Sequence, residues 1–207
     1  MLLVNNIFYK RNNKQILSNI SLTLSPQKII HLSGNNGVGK TTLLKILTNI
    51  LEPEKGEIFW NGKNIKKNYF NFYRNITFIM DKETSSTSLT VNENVLFWKK
   101  LFSSQRTTKE VDSILDLLSL NKYKNTLTSY LSYGEKKKLE LSRLIIEQKK
   151  LWILDEPYVG LDQSSINLIN QTILNHIELG GMVIFTSHIS PDIPNLETLF
   201  LEGHAHH

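Results

Sequence analysis

The sequence predicts an α/β fold: a mixed, mainly parallel sheet with an antiparallel β flank and a helical subdomain. Three observations predict it. Short apolar runs alternate with longer segments of helical periodicity, as strands joined by crossover helices do. Two of those runs, residues 151–154 and 182–186, are almost continuously apolar, as expected of strands covered on both faces. Two hairpin-like stretches, near residues 2–24 and 57–65, are amphipathic and stand apart from that pattern.

Residues 2–24 and 57–65 are assigned to the antiparallel flank, with Asn61-Gly62 as a turn. Strands fall at 28–33, 76–80, 151–154 and 182–186; helices fall at 40–49, 91–101, 109–118, 135–147 and 165–177. The stretch 83–90, ETSSTSLT, is the most loop-like. No internal repeat or low-complexity linker interrupts the chain. At 207 residues it suits one domain, 1–200, with the helical subdomain at about 85–145. Residues 201–207 carry the single alanine, Ala205, and three of the six histidines, and are set aside as a tail or cloning remnant.

Composition narrows the function. Hydrophobic residues make up 40% and charged residues 21%, as in a globular domain. No apolar run reaches the roughly 18–20 residues that cross a bilayer. The start, MLLVNNIFYK, lacks the features of a signal peptide. The absence of cysteine excludes disulfides, thiolate metal sites and cysteine-linked haem. The net charge of +5 comes from lysine clusters such as Lys136-Lys137-Lys138, read as solvated faces, with attraction to anionic lipid head groups or nucleic acid as the alternative. Abundant Asn, Lys and Ile beside one alanine point to an A+T-biased genome, since helix physics favours alanine.

The chemistry begins at Gly34-Asn35-Asn36-Gly37-Val38-Gly39-Lys40-Thr41, with Thr42 next. It matches the phosphate-loop pattern G-x-x-x-x-G-K-[ST] and lies between an apolar strand and a helix. The glycines let backbone N–H groups turn inward onto phosphate oxygens, and the helix N-terminus adds its positive dipole end. Lys40 is the phosphate cation, and the Thr41 hydroxyl a ligand for Mg²⁺. Leu151-Trp152-Ile153-Leu154-Asp155-Glu156 then reads as a buried strand delivering two carboxylates to its C-terminal end, where ligands bind in open α/β sheets. Asp155 is the second Mg²⁺ group, and Glu156 the base that polarises the attacking water.

Leu131-Ser132-Tyr133-Gly134-Glu135, followed by a basic helix, resembles the LSGGQ signature of ABC ATPases. Ser132 and the Gly134 amide would meet a γ-phosphate at a helix N-terminus. Leu161-Asp162 resembles the D-loop, and Ser187-His188 the switch histidine, which gives His188 a catalytic role. The order of these motifs carries the resemblance over nearly the whole chain and implies a P-loop ABC ATPase core. Two positions depart from that family. Lys82 stands where a glutamine usually touches Mg²⁺, and an ammonium has donors only. Arg11, with Tyr9 nearby, stands where an aromatic residue usually stacks on adenine.

Softer similarities narrow the resemblance. Leu151–Tyr158 with Leu161-Asp162, Gly56–Gly62 (GEIFWNG), Leu89–Val95 and Gly180–Ile184 are similar to segments of the ATP-binding subunit of the haem exporter in cytochrome c maturation. That resemblance implies ATP and Mg²⁺ as cofactors and an integral membrane permease as partner. It further implies haem-handling membrane proteins, an ATP-dependent head-to-tail homodimer, and the cytoplasmic face of a bacterial inner membrane or the matrix face in mitochondria. No nucleic acid is expected. An exporter subunit for a lipid or drug stays open, because cargo touches the permease. A soluble ABC protein acting on nucleic acid or ribosomes would carry two cassettes or a long coiled-coil insertion. A P-loop kinase would leave the signature and switch histidine unexplained.

Overall fold

The computed structural model describes residues 1–189 and 191–202. Two sheets form its frame. Strands β1 (Leu2–Arg11), β2 (Lys14–Leu24), β4 (Lys55–Trp60) and β5 (Lys63–Asn64) make an antiparallel sheet in the order β2-β1-β4-β5. Asn12-Asn13 and Asn61-Gly62 turn its hairpins with φ of 50°, 59°, 49° and 76°, the doubly positive geometry of a type I′ turn. The second sheet is parallel throughout: β3 (Lys28–Ser33), β6 (Ile76–Ile79), β7 (Leu151–Leu154), β8 (Met182–Thr186) and β9 (Glu197–Phe200), ordered β6-β7-β8-β3-β9. The expected mixing thus lies between two sheets and not within one.

Helices α1 (Lys40–Leu47), α3 (Val91–Leu101), α4 (Thr108–Leu117), α5 (Tyr133–Ile146) and α6 (Gln163–Glu178) fall within two residues of the predicted ranges. Helix α1 stops early because Asn49 turns left-handed at φ 56°. Four elements were not predicted: α2 (Tyr69–Tyr73) and two 3-10 turns, Asn121–Tyr123 and Thr128–Tyr130, all too short to show a period, and β9, an edge strand with mostly exposed side chains.

The parallel sheet separates two apolar cores. One, containing Leu43, Trp60 and Ile184, fills the space towards the antiparallel sheet; the other, containing Val95, Leu139 and Phe185, joins it to the helices. Leu201 belongs to the first core: it is buried, and its N–H donates to Ser33 O at 2.8 Å. The chain is therefore tied down one residue past the predicted domain end. The rest of the proposed tail from Gly203 on lies outside the described residues.

Candidate active site

The phosphate loop connects β3 to α1 at the C-terminal edge of the parallel sheet. Gly34, Gly37 and Gly39 all have positive φ. At Gly34 and Gly39 the requirement is also steric: a methyl group would lie 2.6 Å from Leu201 O at the first and 2.9 Å from Ile16 Cγ2 at the second. Gly39 is the N-cap of α1 and supplies no side-chain cap, so the first N–H groups of α1 keep their donors for a ligand. Lys40 is 8% exposed, its Nζ donating to Gly34 O at 2.7 Å and Asn35 O at 3.2 Å. The ammonium thus lies across the loop mouth.

The two sequence-predicted carboxylates arrive as expected from β7. Asp155 is 3% exposed and accepts from Thr41 Oγ1 at 3.1 Å and Thr186 Oγ1 at 2.8 Å. Glu156 takes a left-handed φ of 48°, and its N–H donates to Thr186 Oγ1 at 2.9 Å. A non-glycine residue in that region is strained, and here the strain turns the side chain out of the strand. His188 Nε2 lies 3.3 Å from Glu156 Oε1. Thr186 Oγ1 thus joins the Asp155 carboxylate to the Glu156 backbone N–H, and sequence reasoning missed it because it ends an ordinary strand. His31 was missed too: buried, stacked on Phe185 at 4.9 Å, and with Nε2 3.1 Å from Ser187 O, it fixes the backbone beside His188.

The signature opens α5. Ser132 is the N-cap and forms a capping box with Glu135: Ser132 Oγ accepts from Glu135 N, and the Glu135 carboxylate accepts from Ser132 N at 2.8 Å. Hydrogen bonds from Tyr123 and Ser132 hold the Glu135 carboxyl below its usual range. Leu131 is buried in the helical core, while Ser132 and Tyr133 are exposed. Gly134 packs against Gly160, where a methyl would meet Gly160 O at 2.8 Å. No contact described for this segment reaches the phosphate loop. Asp162 caps α6, and hydrogen bonds from Ser165 and Ser164 bring its carboxyl down to about 2.

The loop after β6 is anchored to α5. Glu140, 2% exposed, accepts from Thr84 N at 2.7 Å, Ser85 N at 2.5 Å and Thr84 Oγ1 at 2.7 Å. Arg143 donates to Thr84 Oγ1 at 3.1 Å and to Glu147 Oε1 at 2.6 Å, and Glu147 accepts from Thr77 at 2.8 Å. Glu83 pairs with Lys136 at 3.7 Å. Lys82 is exposed with no described contact. The solvated reading of the 136–138 cluster fails at Lys137, which is 3% exposed and has no hydrogen-bond partner. Burial lowers its ammonium from the usual range, opposed by Asp81, Asp155, Glu140 and Glu156.

Arg11 is exposed at the first hairpin turn, and Tyr9 packs on the first core. The side chains the structure brings against the phosphate loop at Gly39 are Ile16 and Leu17. Apolar residues in a strand offer no motif by which to find them.

With this geometry in place, comparison with known proteins is specific. Residues 17–159 match the family described as ABC transporter. The cytochrome c biogenesis ATP-binding export protein CcmA of Idiomarina loihiensis is 35% identical over 196 residues, covering 93% of this chain and 88% of that protein. The protein of the same name from Reclinomonas americana is 35% identical over 203 residues, covering 97% and 90%. A solved structure from Pyrococcus furiosus, described as an ABC transporter ATP-binding protein, superposes with a TM-score of 0.84 at 25% identity, over 97% of this chain and 96% of that one.

Proposed function

Because this chain belongs to the ABC transporter family, we propose that it is the ATP-binding and ATP-hydrolysing subunit of an export complex that serves cytochrome c biogenesis, with haem as cargo. The observation that carries the catalytic part is the meeting of Thr41 with Asp155: two parts of the chain 114 residues apart place an alcohol and a buried carboxylate 3.1 Å apart beside the phosphate loop. Both are oxygen donors, the chemistry that hard cations select. Among the described residues no cluster of three or more His, Asp or Glu could cage a metal by itself. That fits Mg²⁺, which takes the rest of its shell from water and substrate phosphates. Thr41 and Asp155 would hold it, and when bound it would neutralise charge on the phosphates.

The chain's own residues do the rest. Lys40 leaves the carbonyls of Gly34 and Asn35 to bind the β- and γ-phosphates, and the uncapped N-terminus of α1 receives the same oxygens. Glu156 accepts the proton of the attacking water, and His188, 3.3 Å away, orients that pair towards the γ-phosphate. Ile16, which already touches the loop, packs against the base or ribose, with Tyr9 and Arg11 on the neighbouring strand.

The signature is supplied in trans. No contact described for Ser132 or Gly134 reaches the phosphate loop of their own chain, and both helix N-termini suit an anion. A two-fold pair of chains joins them across two ATP molecules. No helix among the described residues is long and apolar enough to cross a membrane. In the export complex the cycle drives an integral membrane permease from the cytoplasmic or matrix face, through the loop held by Glu140. Sedimentation tests the shared site. Glu156→Gln should bind ATP, lose about 10²–10⁴-fold in hydrolysis and dimerise with ATP but not ADP. Adding Ser132→Arg should abolish that dimer; a double variant that dimerises as well as the single one defeats the model. Purification from native membranes should bring the permease and haem-handling proteins with it.

A further inference from the structure

A cavity lies at the other end of the parallel sheet. Its volume is about 680 Å³, within the range of small-molecule sites. Its walls include the residues that lead into the strands: Pro26 before β3, Lys149 and Lys150 before β7, Gly180 and Gly181 before β8. The phosphate loop and the catalytic carboxylates follow the C-terminal ends of those strands, so the two sites are separate.

Three features define what the cavity can hold. Its walls are largely apolar, with Leu117, Leu144, Leu179 and Met182 beside Trp60 and Trp152. Its charge is one-sided: Arg106, Lys149 and Lys150 line it, and no lining residue is acidic. Glu110, which pairs with Arg106, stands outside it. Lastly, Trp60 and Trp152 are 1% and 4% exposed, and neither indole N–H has an acceptor. Trp152 stacks on His176 at 3.7 Å, and Gly181 leaves no room for a methyl beside that imidazole. Burial brings His176 down to about 4, so it stays neutral near pH 7 and leaves the charge to the cations.

We propose that this cavity binds a small anionic amphiphile, its apolar body against the tryptophan wall and its carboxylate, sulfonate or phosphate held by Lys149, Lys150 and Arg106. Two of the three tryptophans line the cavity, so intrinsic fluorescence reads binding directly. The full chain is titrated with 1-naphthalenesulfonate, decanoate and, as the cationic control, decyltrimethylammonium. At least one anion should bind ten-fold or more tightly than the cation. Preference for the naphthalene body marks a soluble aromatic acid as the natural class, and preference for decanoate an acyl lipid. Lys150→Glu and Leu179→Glu change exposed rim positions far from the phosphate loop. Each should weaken anion binding at least ten-fold and leave ATP hydrolysis unchanged. The proposal is overturned if neither anion binds saturably, if the cation binds as tightly as both anions, or if both rim variants bind the anions as the parent does.

Discussion

The phosphate loop and the loop that follows β6 border the same site and are built in opposite ways. The phosphate loop is a backbone device: eight consecutive residues, three glycines at positive φ, and a helix start without a side-chain cap. The second loop has no motif of its own. It is held by the carboxylate of Glu140, 56 residues further along the chain, and by the buried series Arg143, Glu147 and Thr77 behind it. One loop is shaped to receive a ligand's charge; the other is clamped by the protein's own charges. The first should therefore be vulnerable in binding and the second in folding.

The largest test of that contrast is Glu140→Ala. It strands the N–H groups of Thr84 and Ser85 and removes one of two acids beside the Arg143 guanidinium. Breaking such a buried charged set costs about 3–5 kcal/mol, which urea unfolding will read. A loss below about 1 kcal/mol would mean that the clamp is ornamental.

Arg143→Met sharpens the same point through pH. Burial raises the Glu147 carboxyl above its usual 4.5, and Arg143 is the foremost group opposing that rise. A carboxyl raised in the folded state binds more protons there than in the unfolded chain, so its contribution to stability is fully present below pH 4.5 and falls as pH rises through the folded value. Without Arg143 the rise grows. The variant should lose about 3 kcal/mol at pH 8 and recover part of it at pH 5. An equal loss at both pH values would show that Glu147 is not the group left unpaired.

What was legible in the sequence follows the same division. The cradle, the Asp155-Glu156 pair and the strands beneath them could be read because local backbone geometry fixes residue type at fixed spacing. Tertiary contacts leave no such spacing. Glu140 and Lys137 looked like two more charges on a basic helix, Thr186 like the end of a strand, and Ile16 like any alternating β residue. Each gained its role from a partner brought up by the fold. The capping box of Ser132 with Glu135 is local, and it is legible as Ser-x-x-Glu.

Lys40→Ala is the counterpart on the phosphate loop. It removes a charge-assisted contact of about 1.5–3 kcal/mol to phosphate, a loss of about 10- to 150-fold in ATP affinity. The folded protein loses only two bonds from Nζ to the carbonyls of Gly34 and Asn35. Its unfolding free energy should change by less than about 1.5 kcal/mol. A fluorescent ATP analogue and a urea titration on one preparation separate the two quantities. A variant that unfolds easily but binds normally would invert the comparison.

The smallest effect is expected at Lys82, where the two regions meet. Its neighbours are tied: Glu83 to Lys136, Thr84 and Ser85 to Glu140, while Asp81 acts on Lys137 and Tyr133. Lys82 itself is exposed with no described contact. The loop is thus placed by everything except the side chain that faces the chemistry in related ATPases, and Lys82 can be exchanged without loosening the clamp. A glutamine there would offer an amide oxygen to the cation, which an ammonium cannot do. Lys82→Gln should therefore raise kcat for ATP by about 3- to 10-fold, or roughly 0.7–1.4 kcal/mol of barrier, with KM and unfolding midpoint unchanged. A fall in kcat with a rise in KM would instead make Lys82 a phosphate ligand, an extension of the cradle reaching across from the second loop. Steady-state kinetics of the isolated and the membrane-partnered protein distinguish these outcomes, and no change in either preparation would remove Lys82 from the site altogether.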